Sequence, residues 1–317
     1  MPIPNLAGAG DGKKRAAPDQ PVMPHGEIVT PSEKIQTMLS IVDDINKILL
    51  ENEINEKISL RDITITNETV SDLVKPEPKL SDIITNHLWP SITTETVYHY
   101  TSREAAESIL SDGVFRLCNI ANRYSEGEIR TFCETHNLLG CLALDENNLP
   151  KYRHMIMPNT FYASFTGTEL TPEREEYFWK HFATSDSVRL KFDIVASNPN
   201  FRKMYYEQIK GKPIQILSTL TSHIREKHSR EFVLKGISRL CSFYLSGNDY
   251  GIENEYRALY RCWEGFGPQP KGNDEFSYIE LPLNVMNDTG YQLKITEVHA
   301  IEKPNMSSSY TFSKRKA

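Results

Sequence analysis

Short runs rich in β-branched and aromatic residues recur from residue 96 to residue 301, and they constrain the fold of this chain more than any other sequence feature. Such runs are typical of β-strands. They occur at residues 96–100, 160–166, 188–194, 255–262, 276–281 and 291–301. Between the third and fourth runs, apolar residues across 217–244 recur at helical spacing and predict a long helical tract. Because strands and helices do not alternate regularly, the pattern predicts an α+β fold and not a βαβ repeat.

The chain before the first strand has a different character. Residues 1–29 are rich in Pro, Gly, Ala and charged residues and lack hydrophobic periodicity, which predicts a disordered tail. Pro31 suits the first position of a helix, and an apolar stripe follows it at Ile35, Met38, Val42, Ile45 and Leu49. A second, short helix is expected to end before Pro90.

These signals divide the chain into four segments. We predict a disordered tail at 1–29, a small helical N-terminal region at 30–92, a main domain at 93–304 and a flexible tail at 305–317. The helical region is either an independent module or a brace against the main domain.

Bulk properties narrow the cellular setting. The chain has 5 cysteines without regular spacing, which argues against a disulfide framework and favours a reducing compartment. No apolar run approaches the roughly 20 residues of a membrane span, and residues 1–26 lack a secretory signal. The net charge of -6 does not indicate nucleic-acid binding, although a local basic groove is compatible with it. The sequence therefore predicts a cytoplasmic protein with no membrane partner.

Several common catalytic motifs are absent from the sequence. It contains no GxGxxG, P-loop, HExxH or nucleophile-elbow motif, so the corresponding nucleotide, metalloprotease and acyl-transfer sites have no support. Cys133, His136 and Cys141 have a spacing that could supply three zinc ligands. Because no fourth ligand is suggested, we predict no metal site and expect these residues to be packing or surface residues.

Four stretches carry the polar and aromatic residues of a candidate site. They are residues 97–102 (Val-Tyr-His-Tyr-Thr-Ser), 122–126 (Asn-Arg-Tyr-Ser-Glu), 161–166 (Phe-Tyr-Ala-Ser-Phe-Thr) with 178–182 (Phe-Trp-Lys-His-Phe), and 253–257 (Glu-Asn-Glu-Tyr-Arg). In the third, the four phenylalanines are expected in the core: Phe161, Phe165, Phe178 and Phe182.

Two of these stretches contain ionisable side chains whose roles are open. Strand alternation places His99 on one face of its strand and Tyr98 and Tyr100 on the other. A histidine there can bind a ribose hydroxyl, or neighbouring backbone can satisfy it. Glu253 and Glu255 are expected to point the same way at a strand start and to repel each other unless they share a task. The alternative is a solvated turn.

Together and in this order, the four stretches resemble a bacterial family of unknown function that is related to ADP-ribosyltransferases. The similarity runs from about Tyr98 to Glu302, through a Tyr-His-Tyr-Thr strand, a loop ending in Glu, a Ser-Phe strand, a Trp-containing helix and a Glu-x-Glu-Tyr-Arg strand. The loop at 122–126 is longer than the Asn-Asp form expected there, and Phe182 stands where tyrosine is common. The resemblance implies a split β-sheet core with a helical insertion.

The resemblance also implies a reaction. An ADP-ribosyltransferase uses NAD as a substrate, releases nicotinamide and passes ADP-ribose to an acceptor, through an oxocarbenium-like transition state similar to that of glycoside hydrolysis. Glu255 would be the carboxylate that binds the 2′-hydroxyl of the nicotinamide ribose and stabilises the cation. Glu253 would face the acceptor as a general base.

The NAD-binding residues follow from the same resemblance. They are His99, Tyr100, Thr101, Tyr162 and Ser164. His99 would hold the adenosine-side ribose, and Ser164 would support Glu255 or the ribose. Either Tyr162 or Tyr100 would stack on nicotinamide.

Two biological interpretations remain open at this point. In the first, the protein is a toxin or effector, acting in the bacterial cytosol or in a target cell after signal-independent secretion, and its acceptor is protein or nucleic acid (RNA or DNA). In the second, the fold is a catalytically inactive binding module that holds a protein partner. The oligomeric state is not indicated by the sequence.

Overall fold

The computed structural model describes residues 31–73, 79–120, 126–142, 159–182, 186–207, 209–246, 250–262, 267–273, 276–302 and 309–311. The predicted tail at 1–29 and the first four residues of the loop at 122–126 lie outside the described residues.

Helices and strands both contribute substantially, and the fold is α+β as predicted. The helices are α1 (Pro31–Glu51), α2 (Lys79–Leu88), α3 (Arg103–Asp112), α4 (Glu126–Thr135), α5 (Pro172–His181), α6 (Gln215–His228) and α7 (Ile237–Cys241). The strands are β1 (Ile63–Ile65), β2 (Thr69–Asp72), β3 (Thr94–Ser102), β4 (Val114–Asn119), β5 (Thr160–Gly167), β6 (Asp186–Ala196), β7 (Phe201–Lys203), β8 (Tyr205–Tyr206), β9 (Glu231–Val233), β10 (Tyr244–Leu245), β11 (Glu255–Arg261), β12 (Lys271–Gly272), β13 (Ser277–Pro282), β14 (Tyr291–Glu302) and β15 (Ser309–Thr311). All six predicted strands are present.

The main sheet has ten strands among the described residues, in the order β12-β13-β4-β5-β3-β6-β14-β15, with β11 on β5 and β7 on β11. Every pairing within it is antiparallel. Strand β15 lies where a flexible tail was predicted. It pairs with β14, and such pairing depends on a distant strand that local sequence does not reveal.

Strand β5 lies at a fork in this sheet. One edge of β5 pairs with β11 along residues 160–166. The other edge pairs with β4 at Phe161 and Tyr162, and with β3 at Thr166 and Gly167. Strands β3 and β4 therefore share one edge of β5 at opposite ends, and the segment around Ser164 lies between them.

Helix α3 begins where β3 ends. The Ser102 hydroxyl caps the helix by accepting a hydrogen bond from the Ala105 N–H at 3.1 Å, and Gly113 ends it in the left-handed conformation with φ 67. Leu110 is exposed, because only a narrow face of α3, centred on Ala106, meets the sheet.

The predicted helical tract at 217–244 is wrong over its second half. Helix α6 ends at His228, because the next residue, Ser229, adopts a left-handed conformation with φ 51, and the chain then forms β9, α7 and β10. Phe232 and Val233 match helical spacing, yet they belong to β9, which pairs with β2 in parallel. Apolar spacing does not distinguish a buried helix from short buried strands.

The N-terminal region is not purely helical, in contrast to the prediction. Strands β1 and β2 form a hairpin that joins β9 in a three-stranded sheet. The second half of α1 is buried at Val42, Ile45 and Leu49, whereas Ile35 in its first half is exposed. Residues of α1 and α2 share one apolar cluster with α4, α6 and α7. The N-terminal region therefore packs as a brace on α4 and on the segment from α6 to β10 (residues 215–245), which we call the helical insertion. A second apolar cluster consists mostly of buried residues on the strands of the main sheet.

Candidate active site

A cavity of about 310 Å³ opens at the fork of the sheet. Five of the predicted site residues line it: His99 and Tyr100 from β3, Ser164 from β5, Glu255 from β11, and Glu253 from the turn before β11. They come from parts of the chain that are distant in sequence, and the fork brings them together.

A second cavity of about 410 Å³ adjoins the first. Thr101 and Tyr162 line it, and His99 and Ser164 line both cavities. All seven predicted residues therefore lie on one cavity or the other, with His99 and Ser164 at the boundary. Their roles in binding or catalysis stay predictions.

His99 bridges the fork. Its Nδ1 lies 3.0 Å from the carbonyl oxygen of Ser164, and its ring meets Phe115 edge-on with centroids 5.1 Å apart. Because a carbonyl oxygen only accepts, Nδ1 is the donor in this contact, and Nε2 of the neutral ring is then an acceptor. The backbone of Ser164 thus satisfies one ring nitrogen of His99, as the alternative to ribose binding supposed.

Tyr100 lies on the opposite face of β3 from His99, as strand alternation predicted. Its ring stacks on Phe178 and meets Trp179 edge-on, with both pairs of centroids 5.1 Å apart. Burial raises the pKa of Tyr100, and the Arg189 guanidinium opposes this shift only in part. With Phe178 on one ring face and Trp179 at its side, Tyr100 has little room to stack on a second aromatic ring.

Tyr162 does not share a cavity with Glu255. It is buried on β5, and the Arg257 guanidinium lies 5.2 Å from its ring centroid. The predicted stacking of Tyr162 on a nicotinamide beside Glu255 therefore has no geometric support. The cause is their separation along the strands: Tyr162 pairs with Leu259, whereas Glu255 pairs with Thr166, and the Arg257 side chain contacts Glu255 and lies near the Tyr162 ring.

Glu255 is held by an ion pair. Its side chain is 7% exposed, and Oε1 and Oε2 lie 2.7 and 3.2 Å from Nε and Nη2 of Arg257. Arg257 also donates from Nη1 to the carbonyl oxygen of Ser242, at 2.7 Å. Arg257 was not among the site residues predicted from the sequence. Its position two residues after Glu255 on the same strand, hence on the same face, was the signal that could have identified it.

Glu253 and Glu255 do not sit side by side on one strand, so that prediction is wrong. Glu253 ends a 3-10 turn (Gly251–Glu253), Asn254 has φ 44, and Glu255 is the first residue of β11. Glu253 accepts a hydrogen bond from the Tyr177 hydroxyl at 3.1 Å. Burial, followed by the charge of Glu253, raises the pKa of Tyr177 to about 12. Each carboxylate has its own partner, which relieves their repulsion.

Phe182 was expected in the core but is 46% exposed and lines the first cavity. It follows the last residue of α5, where the chain leaves the helix and the ring faces outward. Phe161, Phe165 and Phe178 are buried as predicted.

Across the residue ranges that the structure describes, no group of three or more potential metal ligands includes a cysteine. All five are free and buried, in agreement with the absence of a disulfide framework. Within the described part of the chain, Cys133, His136 and Cys141 do not converge as metal ligands. Nδ1 of His136 instead lies 2.7 Å from the Phe132 carbonyl oxygen.

Comparisons with models of known protein families, with curated proteins and with solved structures found no match. Among the residues that the structure describes, no helix is both long enough and apolar enough to cross a bilayer.

Proposed function

We propose that this protein is an NAD-dependent ADP-ribosyltransferase that releases nicotinamide and transfers ADP-ribose to a protein or nucleic-acid acceptor. One observation carries the proposal. His99, Ser164 and Glu255 come from three strands, yet they line a single cavity at the fork of the sheet. The fork supports the split-sheet core that the sequence resemblance implied.

The position of Glu255 suits the chemistry. Cleavage of the bond between nicotinamide and ribose develops positive charge on the ribose, and a carboxylate placed in advance stabilises that charge. Arg257 orients Glu255 through two contacts. The guanidinium offsets part of the carboxylate charge but holds Glu255 in place, so that the carboxylate both accepts a hydrogen bond from the ribose 2′-hydroxyl and stabilises the positive charge that develops there.

The two adjoining cavities suit an extended ligand. Each falls within the range of about 300–1,000 Å³ that is common for small-molecule sites. A dinucleotide that spans both would pass His99, whose Nε2 can accept a hydrogen bond from the adenosine-side ribose. Phe182, half-exposed at the first cavity, replaces Tyr162 as the aromatic ring that covers nicotinamide. Glu253 stays the candidate general base toward the acceptor.

The setting that fits this proposal is a reducing cytosol, of a bacterium or of a cell that receives the protein as a toxin or effector. The five free cysteines support a reducing compartment.

The test is incubation of the purified protein with NAD, labelled in its adenylate, and a cell lysate. We expect nicotinamide release and label in protein or RNA. Glu255→Gln should lower the rate at least about 100-fold, the loss typical of a missing electrostatic group. Glu297→Gln, a glutamate of β14 that lines neither cavity, is the matched control and should keep the wild-type rate.

The outcomes separate the candidates. Label that appears mainly in RNA identifies a nucleic-acid acceptor, and label in protein identifies a protein acceptor. A folded wild-type protein without nicotinamide release, or a Glu255→Gln variant with the wild-type rate, would reject the transferase.

One observation favours the alternative, a catalytically inactive binding module. The Glu255 carboxylate is satisfied within the protein by Arg257, as in a structural ion pair. This alternative predicts that Glu255→Gln leaves a cellular phenotype intact.

A further inference from the structure

One carboxylate and two imidazoles converge where α1 packs on α6. Asp44 belongs to α1, and His223 and His228 belong to α6. One ring nitrogen of each histidine and one carboxylate oxygen all lie within 4.8 Å of one another. None of the three residues lines either cavity of the candidate active site. We propose that they bind one zinc ion, which fastens the N-terminal region to the helical insertion.

The donor atoms are the ones that zinc prefers. Nε2 of His228 lies 2.7 Å from Oδ2 of Asp44, and Nε2 of His223 lies 3.3 Å from the same oxygen. Imidazole nitrogens combined with a carboxylate suit zinc, with one coordination position left for water. Magnesium and calcium prefer sites made of oxygen ligands.

Two of the three separations between ligand atoms are close to those of a tetrahedral site. Zinc bonds of about 2.0–2.2 Å place neighbouring ligands about 3.3 Å apart. The contact between His223 and Asp44 already has that length. The contact between His228 and Asp44, at 2.7 Å, must lengthen by about 0.6 Å, from 3.3 minus 2.7, which a small rotation of either side chain supplies.

The burial of the three side chains suits a metal site that is held firmly and is open to solvent on one side. The side chains of His228 and Asp44 are 7% and 12% exposed, whereas His223 is 34% exposed. Packing between α1 and α6 holds the first two, and the His223 side leaves a path for the ion and a fourth, water ligand.

Lys227 competes with the metal. Its Nζ lies 2.7 Å from the Asp44 carboxylate, and its side chain is 50% exposed. The ammonium can therefore move into solvent when zinc binds, but its positive charge opposes binding. If the three residues bind zinc, removal of the Lys227 charge should raise the zinc affinity. If they form only an ion-pair cluster, the same change should only weaken that cluster.

The experiment uses the full chain, stripped of metal with EDTA and then freed of chelator. Zinc affinity is measured by competition with a chromophoric chelator, and thermal unfolding is followed with and without zinc. We expect one zinc per chain. At free zinc about 100-fold above Kd, Tm should rise by about 4 °C. Magnesium and calcium at the same concentration should leave Tm unchanged.

Variants locate the site. His223→Gln, at the half-exposed position, should lower zinc affinity at least about tenfold, in line with loss of a metal ligand. Asp44→Asn should do the same. Lys227→Met should raise the affinity. His87→Gln removes an exposed histidine of α2 and is the matched control, with wild-type affinity. Circular dichroism of the zinc-free variants establishes that each is folded.

Three results would overturn the proposal. The first is the absence of both zinc binding and a zinc-dependent rise in Tm in the wild type. The second is equal zinc affinity in wild type and His223→Gln, which would place the metal elsewhere, for example on cysteines. The third is unchanged or weaker binding in Lys227→Met. Because no readout involves NAD turnover, the result is independent of the proposed transferase activity.

Discussion

Both carboxylate oxygens of Glu255 contact the guanidinium of Arg257, two residues later on the same strand, at 2.7 and 3.2 Å. The guanidinium also donates to the carbonyl oxygen of Ser242, directly after α7. Arg257 therefore connects the helical insertion to the carboxylate of the candidate active site, and the packing of the insertion sets where that carboxylate points.

Arg257→Met should destabilise the protein markedly. It leaves the Glu255 carboxylate, whose side chain is 7% exposed, without its cation, and the expected loss is about 3–5 kcal/mol in the free energy of unfolding. Urea denaturation measures this loss. The double variant Glu255→Gln with Arg257→Met should recover part of it, because no buried charge is then left unpaired.

Arg103→Met is the control for this substitution. It removes an ion pair with Asp186, whose side chain is 57% exposed, and should cost less than about 1 kcal/mol. A similar small loss in Arg257→Met would contradict a tightly held Glu255.

His99→Phe should separate the packing role of the ring from its polar role. The phenyl ring keeps the contacts with Phe115 and Phe165 but leaves the Ser164 carbonyl without its donor, at a cost of about 1 kcal/mol in unfolding free energy. If His99 holds a ribose, NAD affinity should also fall about tenfold, which corresponds to about 1.4 kcal/mol. Calorimetric titration with NAD measures this. An unchanged affinity would remove His99 from the binding residues.

In the zinc-free protein, the ionised Asp44 carboxylate should contribute stability that is lost in acid. Burial raises the pKa of its carboxyl, but hydrogen bonds from Lys227, His228 and His223 outweigh burial and lower it to about 2. Because this value lies below the ordinary 3.8, the stabilisation is fully present above about pH 4 and is lost as pH falls toward 2.

The stability difference between wild type and Asp44→Asn should accordingly shrink from pH 5 to pH 2, measured by urea denaturation in EDTA. Asp43→Asn changes an exposed neighbour on the same helix and should stay within about 0.5 kcal/mol of wild type. A difference for Asp44→Asn that is constant down to pH 2 would contradict the ion-pair account.

Ile45→Ala should destabilise the insertion together with α1. Ile45 is 0% exposed in the cluster that α1 shares with α6 and α7, and the expected loss is about 2–5 kcal/mol in a single unfolding transition. Leu50→Ala, on the same helix but 59% exposed, should change stability by less than about 0.5 kcal/mol. Two separate thermal transitions, only one of them sensitive to Ile45→Ala, would indicate an independent N-terminal module.

Much of the fold could be predicted from local patterns. Strands β3, β5 and β6 are long enough for their composition to be distinctive, and α1 starts at Pro31, the residue predicted to begin it. Strands β1, β2 and β9 were missed because strands of three or four residues are specified mainly by the partners they pair with.

Local sequence patterns also predicted part of the candidate site. Alternation along β3 placed His99 and Tyr100 on opposite faces without knowledge of the rest of the chain. The exposure of Phe182 and the separate environments of Glu253 and Glu255 were not predictable, because they depend on where α5 ends and on the turn at Asn254.

Contacts between distant segments came from the tertiary structure alone. His99 and Ser164 are 65 positions apart, and Asp44 and His228 are 184 positions apart. Periodicity reports which side of its own helix or strand a residue occupies, because backbone geometry sets that side over a few residues. Which elements then face each other depends on the pairing at the β5 fork and on the packing of α1 against α6, and both arise only when the whole chain buries its apolar surface.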